Sequence, residues 1–241
     1  MTGVLASVTS VEEAKIIINH DVDILDIKNP DKGALGAQPY NVVCDIVNFV
    51  DGRIPVSATI GDVSANDPGL PTLIEDMAAT GVDFVKVGLF EKDISSEFIV
   101  TIKDAADNRI PIVIVLFAEN YSVCEKLEPL LSIGLRGIMI DTKLKNDKSL
   151  CELLSIDCLQ EFVKYTQSHD LITGLAGSLR IKDIPDLLSL NANYLGFRGA
   201  LCESGQRTNA LSSVKIGLVC AEVRNNVTMY HNNDSDYQEA I

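Results

Sequence analysis

Asp26 and Lys28 lie in the run VDILDIKNP, Lys86 in VDFVKVGLF, and Asp141 at the end of GIMID, each surrounded by Val, Ile and Leu. Strand alternation puts Ile24, Asp26 and Lys28 on one face and Leu25 and Ile27 on the other. By the same rule Lys86 shares a face with Phe84 and Gly88, and Asp141 with Gly137 and Met139. Carboxylates and ammonium groups avoid burial unless paired, and an unpaired one in an apolar strand costs several kcal/mol. Each has a plain structural explanation. Asp26 and Lys28 can form an internal ion pair, Lys28 can snorkel to solvent, and Asp141 can cap the following turn. Lys145, in the DTKLK stretch, can be a solvated loop charge. Taken together, several cations and carboxylates meeting at one end of a sheet suit amine chemistry. Crowding by other cations and loss of water favour a neutral lysine able to attack a carbonyl. The protonated imine so formed allows loss of a proton at the neighbouring carbon, and a second lysine can carry that proton.

Such convergence needs parallel strands that all end on one side. Short Val/Ile/Leu runs read as strands at Val4–Val8, Val22–Ile27, Pro55–Ile60, Val82–Phe90, Ile110–Phe117, Gly137–Asp141, Leu171–Ala176 and Tyr194–Phe197. Amphipathic segments of helical length alternate with them: Val11–Asn19, Asn41–Val50, Pro71–Thr80, Ser95–Asp107, Ser122–Ile133, Leu150–Ser168, Ile181–Leu190 and Ser212–Arg224. Ser10 with Glu13 has the capping-box spacing, and Gly81 and Gly134 stand where a helix must end before the next strand. Strand–helix pairs of this kind require parallel pairing. Eight pairs in 241 residues fit a single-domain α/β chain folded as a (β/α)8 TIM barrel, a fold of about 250 residues. A doubly wound open sheet is the rival, but no GxGxxG follows the first strand. The barrel is expected over residues 1–224, followed by a polar, flexible tail over 225–241.

The seventh and eighth strands end in LAGSLRIKDI and GFRGALC. Backbone N–H groups around Gly177 and Ser178 can face an anion, Gly199 permits close approach, and Arg198 supplies a positive fork. Phosphate sites recur at this place in barrels. Ser57, Thr59 and Asp62 in SATIGDV stand near the same mouth, with a simple turn as the alternative for Asp62.

Composition narrows the partners. Lys+Arg is 20 against Asp+Glu 34, a net charge of −14, which opposes nucleic acid and anionic lipid. Hydrophobic residues are 46% of the chain, enough for a core, yet no apolar run approaches the roughly 18 residues of a membrane span. The N-terminus has no basic leader, so a cytoplasmic location with reduced cysteines is expected. The six cysteines contain no CxxC pair and the three histidines stand apart, so neither a metal nor an organic cofactor is expected.

DILDIKNPDKGALGA (Asp23–Ala37), PVSATIGDV, DFVKVGLF, DTKLK, LAGSL and FRGALC, in that order, resemble the (5-formylfuran-3-yl)methyl phosphate synthase family from Val4 to about Arg224. Its product is also called 4-(hydroxymethyl)-2-furancarboxaldehyde phosphate. The resemblance implies a barrel lyase that condenses two molecules of glyceraldehyde 3-phosphate, losing phosphate and water, in methanofuran biosynthesis and one-carbon metabolism. It implies Lys28 as the Schiff-base lysine, Lys86 as proton acceptor and donor, and Asp26, Asp141 and Lys145 as supporting charges. Two triose phosphates demand two anion sites; Lys145 with the loop Asn29–Gly36 is the expectation for the second. Barrel enzymes of this sort commonly self-associate, so a homo-oligomer is expected. Another class I sugar-phosphate aldolase and a non-catalytic phosphosugar-binding barrel are the alternatives.

Overall fold

In a computed structural model, which describes residues 1–120, 127–144 and 148–235 with side chains to Asn225, eight parallel strands close into a barrel in sequence order. They are β1 (Gly3–Val8), β2 (Ile24–Ile27), β3 (Val56–Thr59), β4 (Phe84–Gly88), β5 (Ile112–Phe117), β6 (Gly137–Asp141), β7 (Ile172–Leu175) and β8 (Tyr194–Phe197). β8 pairs with β1 through Leu195 beside Val4, which closes the ring. The open-sheet alternative is thereby removed. Among the described residues no helix is long and apolar enough to cross a membrane.

Strand parity follows the sequence pattern. Leu25, Ile27, Val85 and Val87 are buried against the helices in the main core. Asp26, Ser57 and Lys86 therefore point inward, Asp26 standing beside Ser57 and Thr59 beside Lys86 in the ladder. β6 and β8 match the apolar runs and β1 begins one residue earlier; the other five strands stop one or two residues inside them at one or both ends, where the outer residues already belong to the turns.

Helix punctuation holds in part. Ser10 Oγ accepts from the Glu13 N–H at 3.3 Å, but the Glu13 carboxylate accepts from the N–H of Thr9 at 2.7 Å. The same carboxylate is drawn to Arg198, which accounts for the shifted partner. Gly81 and Gly134 take φ of +87° and +81°, the left-handed conformation that ends a helix. The segment expected as one helix, Leu150–Ser168, is two: Leu150–Leu153 and Ile156–Gln167. Leu154 is extended, and Ser155 restarts the helix by accepting from Cys158 N–H. The final helix runs from Ser213 to Ser235, so helical backbone continues into the stretch expected as a tail.

A second, smaller core fills the mouth of the barrel. Ala34 and Leu35, from the loop after β2, pack against Val115, Phe117, Met139 and Ala176. Phe90 lies over them with its ring centroid 4.6 Å from that of Phe117. Gly88 is the residue that makes room: a Cβ there would stand 2.5 Å from Phe90 Cε2 and 2.7 Å from Leu35 Cδ1. The space above Lys86 that its glycine leaves is thus taken by the β2 loop. Gly88→Ala is expected to overpack this cluster and cost about 1–3 kcal/mol. Chemical denaturation would read the loss as a lowered midpoint at unchanged slope.

Candidate active site

Asp26 is the hub of the polar interior. It is fully buried on β2 and accepts from Lys86 Nζ at 2.9 Å, Ser57 Oγ at 2.7 Å and Ser7 Oγ at 3.0 Å. Burial alone would push this carboxyl up. The charges of Lys86 and Lys28, with the hydrogen bonds from Ser57 and Lys86, outweigh burial and hold it below its ordinary value. Lys86 is 2% exposed and reaches Asp26 from β4 across the barrel. Lys28, just past β2, is 12% exposed, with Nζ 4.0 Å from Asp26 and 3.8 Å from Asp141. Asp141, at the end of β6, also accepts from the Thr142 N–H at 2.7 Å. Four of the expected charged groups thus form one cluster in which two ammonium groups face two carboxylates. Lys145 lies outside the described residues.

Lys28 and Asp141 open into a cavity of about 610 Å³. Gly177, Ser178, Arg198 and Gly199 line the same space, so both halves of the expected site meet. Gly177, with φ +117°, lies so close to β6 that a Cβ would stand 2.6 Å from Thr142 Cγ2. Ser178 follows with φ +48°, which turns successive backbone units toward the mouth. Arg198 departs from its expected role as an open fork. Nε donates to Arg207 O, Nη1 to Ser7 O and Glu13, and Nη2 to Glu13 and Asn209 O. All five guanidinium N–H groups are engaged, so this side chain meets a phosphate only by giving one of them up. It ties the loop after β8 to β1 and the first helix.

The sequence reading passed over the cations on the rim. Arg180, Lys182, Arg207 and Lys215 all line the cavity. The first two lie inside the LAGSLRIKDI string and could have been read with it. Arg207 sits in an irregular loop and carries no periodic signal. Its Nη2 donates to Pro30 O and, at 2.8 Å, to Gly33 O, which bridges the loops after β8 and β2.

Carboxylates secure the other mouth loops. Asp62 accepts from the N–H groups of Ala34 and Leu35 at 3.0 and 2.7 Å, which places Leu35 in the mouth. Glu91 accepts from Ser64 Oγ and Ala65 N–H, and Glu119 from the N–H groups of Lys143 and Leu144. Asp62 is therefore more than a turn former, and Thr59 donates to Gly36 O at 3.2 Å in the same loop.

A barrel with paired lysines and a cationic rim fits several sugar-phosphate enzymes, and comparison with known proteins decides among them. The family model described as 4-HFC-P synthase matches residues 4–219. The chain belongs to the 4-HFC-P synthase family. A (5-formylfuran-3-yl)methyl phosphate synthase of Methanococcus maripaludis is 36% identical over 84% of this chain and 91% of its own. One from Methanocaldococcus jannaschii is 34% identical over 85% and 92%. Family membership makes the protein an enzyme, a synthase. Among solved structures, 3-hexulose-6-phosphate synthase superposes with a TM-score of 0.62 at 16% identity, covering 93% of this chain and 99% of that one. Phosphoribosyl anthranilate isomerase from Thermus thermophilus gives 0.64 at 13%, covering 93% and 99%. At that identity the likeness concerns the barrel alone.

Proposed function

We propose that the protein condenses two molecules of glyceraldehyde 3-phosphate into (5-formylfuran-3-yl)methyl phosphate, through an imine on Lys28. The observation that carries this reading is the position of Lys28 at the cavity end of a buried Lys–Asp cluster, between Asp26 and Asp141. The names of the relatives support the product. The cationic rim supports a phosphorylated substrate.

Attack of the Lys28 amine on the aldehyde and loss of water give an iminium ion, which acidifies the neighbouring C–H. A base removes that proton; Lys86, joined to Lys28 through Asp26, is the group assigned to it. The atoms balance when two trioses yield the furan, one phosphate and two waters. The formyl carbon of the product is the imine carbon, so the triose bound at Lys28 is the one that loses its phosphate. The new carbon–carbon bond joins its third carbon to the middle carbon of the other triose.

Borohydride treatment in the presence of glyceraldehyde 3-phosphate, followed by digestion and mass spectrometry, tests the reading. A triose adduct on the peptide containing Lys28 is expected. Adducts confined to other lysines would remove the mechanism. Lys86→Arg keeps the charge beside Asp26 but not an amine that can shed a proton at neutral pH. It is expected to retain trapping at Lys28 while furan formation falls roughly 10²–10⁴-fold. Unchanged turnover would refute the role of Lys86.

A further inference from the structure

Arg207 is anchored through one nitrogen only. Its Nη2 serves the carbonyls of Pro30 and Gly33, while Nε and Nη1 make no hydrogen bond among the described residues. The side chain is half-buried and lines the cavity that Lys28, Asp141 and Pro30 also line. Its anchor lies in the loop that begins directly after Lys28. Its own backbone is fixed as well, because Arg207 O accepts from Arg198 Nε at 2.8 Å, and Arg198 is clamped by Glu13. The Gly177–Ser178 turn with Arg180 and Lys182 belongs to the β7 side of the cavity, so a second cationic group stands on the β2 side.

We propose that Arg207 binds the phosphate of the triose attached to Lys28 and stabilises it as it leaves. The phosphate that stays in the product is then held on the β7 side, by the Gly177–Ser178 turn and its neighbouring cations. The inference rests on the imine at Lys28 proposed above. In the step concerned, the proton next to the iminium carbon passes to a base, and its electron pair forms the enamine. That pair then expels the phosphate by breaking the bond between the third carbon and the ester oxygen. The C–O electron pair departs with inorganic phosphate, no net oxidation occurs, and negative charge grows on the ester oxygen. A fixed guanidinium that stays charged and keeps N–H groups unused on Nε and Nη1 can meet that charge with a charge-assisted hydrogen bond.

Arg207→Gln in the full chain tests this, with Arg207→Lys beside it to retain a cation and a donor for the loop carbonyls. Each is incubated with glyceraldehyde 3-phosphate, quenched with borohydride at intervals, and the Lys28 peptide weighed. Arg207→Gln is expected to keep the adduct but to hold it in its phosphate-bearing form. Single-turnover release of inorganic phosphate should slow roughly 10²-fold. Arg207→Lys should fall between, and trapping with phosphate-free glyceraldehyde should be the same in all three proteins. Phosphate release at the native rate in Arg207→Gln overturns the proposal. So does an equal fall in trapping of glyceraldehyde and of its phosphate, since that marks a loosened loop rather than a lost anion contact. Absence of any Lys28 adduct from the native enzyme overturns the imine reading itself and this proposal with it.

Discussion

Lys28→Arg is expected to abolish furan formation, by roughly 10⁴-fold or more, while the protein stays folded. Arginine keeps a positive charge opposite Asp26 and Asp141, so the carboxylates remain compensated. The native side chain is 12% exposed at the end of a 610 Å³ cavity, which gives the longer guanidinium somewhere to extend. What is lost is an amine that can be deprotonated, because a guanidinium stays charged at any working pH. Product formation from glyceraldehyde 3-phosphate, followed by furan absorbance, measures the loss. Borohydride trapping and a thermal melt on the same sample separate chemistry from folding. Turnover within about tenfold of native would show that no covalent bond to position 28 is required.

Asp26→Asn should carry the largest stability loss, about 3–5 kcal/mol, because it strands a buried cation. Lys86, Ser57 and Ser7 all donate to the two oxygens of Asp26. An amide keeps the shape but turns two N–H donors toward groups that are donors themselves, and leaves Lys86 without its counter-charge at 2% exposure. Urea unfolding at pH 7 measures the difference. Its pH dependence has a definite sign. The Asp26 carboxyl is held below its ordinary value in the folded protein, so its ionisation adds stability that is complete above that ordinary value. The contribution fades as pH falls from there through the folded value. The Asn variant should lack this component, so the stability difference between the two proteins should shrink on acidification. A difference under about 1 kcal/mol at neutral pH would show that the buried Lys86–Asp26 ion pair is not what holds the barrel interior together.

The central cluster was legible because strands have a period. Asp26 and Lys28, Lys86 with Gly88, and Asp141 could each be assigned to a face from alternation alone, and the closed sheet brings those faces together. Irregular segments offer no such rule. Nothing in NPDKGALGA announces that Leu35 enters the barrel mouth, since its place is set by Asp62 nearly thirty residues later accepting from its backbone. Arg198 was read as a phosphate fork because its partner Glu13 lies on the first helix, at the other end of the chain. The same distance in sequence hid Arg207. The break at Leu154 was missed for another reason: Ser155 within an amphipathic run can be a surface residue of one helix or the cap of the next, and the pattern permits both.

The carboxylates at the mouth bear on how a dianion approaches a molecule with a net charge of −14. Asp62 and Glu119 spend both oxygens, and Glu91 one of its two, on backbone N–H groups of adjoining loops, while Arg180, Lys182, Arg207 and Lys215 border the opening. The triose phosphate of the proposed reaction would therefore be repelled from afar and welcomed only at close quarters. Dissolved ions damp the distant repulsion over about 10 Å at 0.1 M, but reach a half-enclosed pocket less. Modest ionic strength should accordingly hasten capture, the reverse of the usual behaviour for a charged ligand drawn in by its enzyme's field.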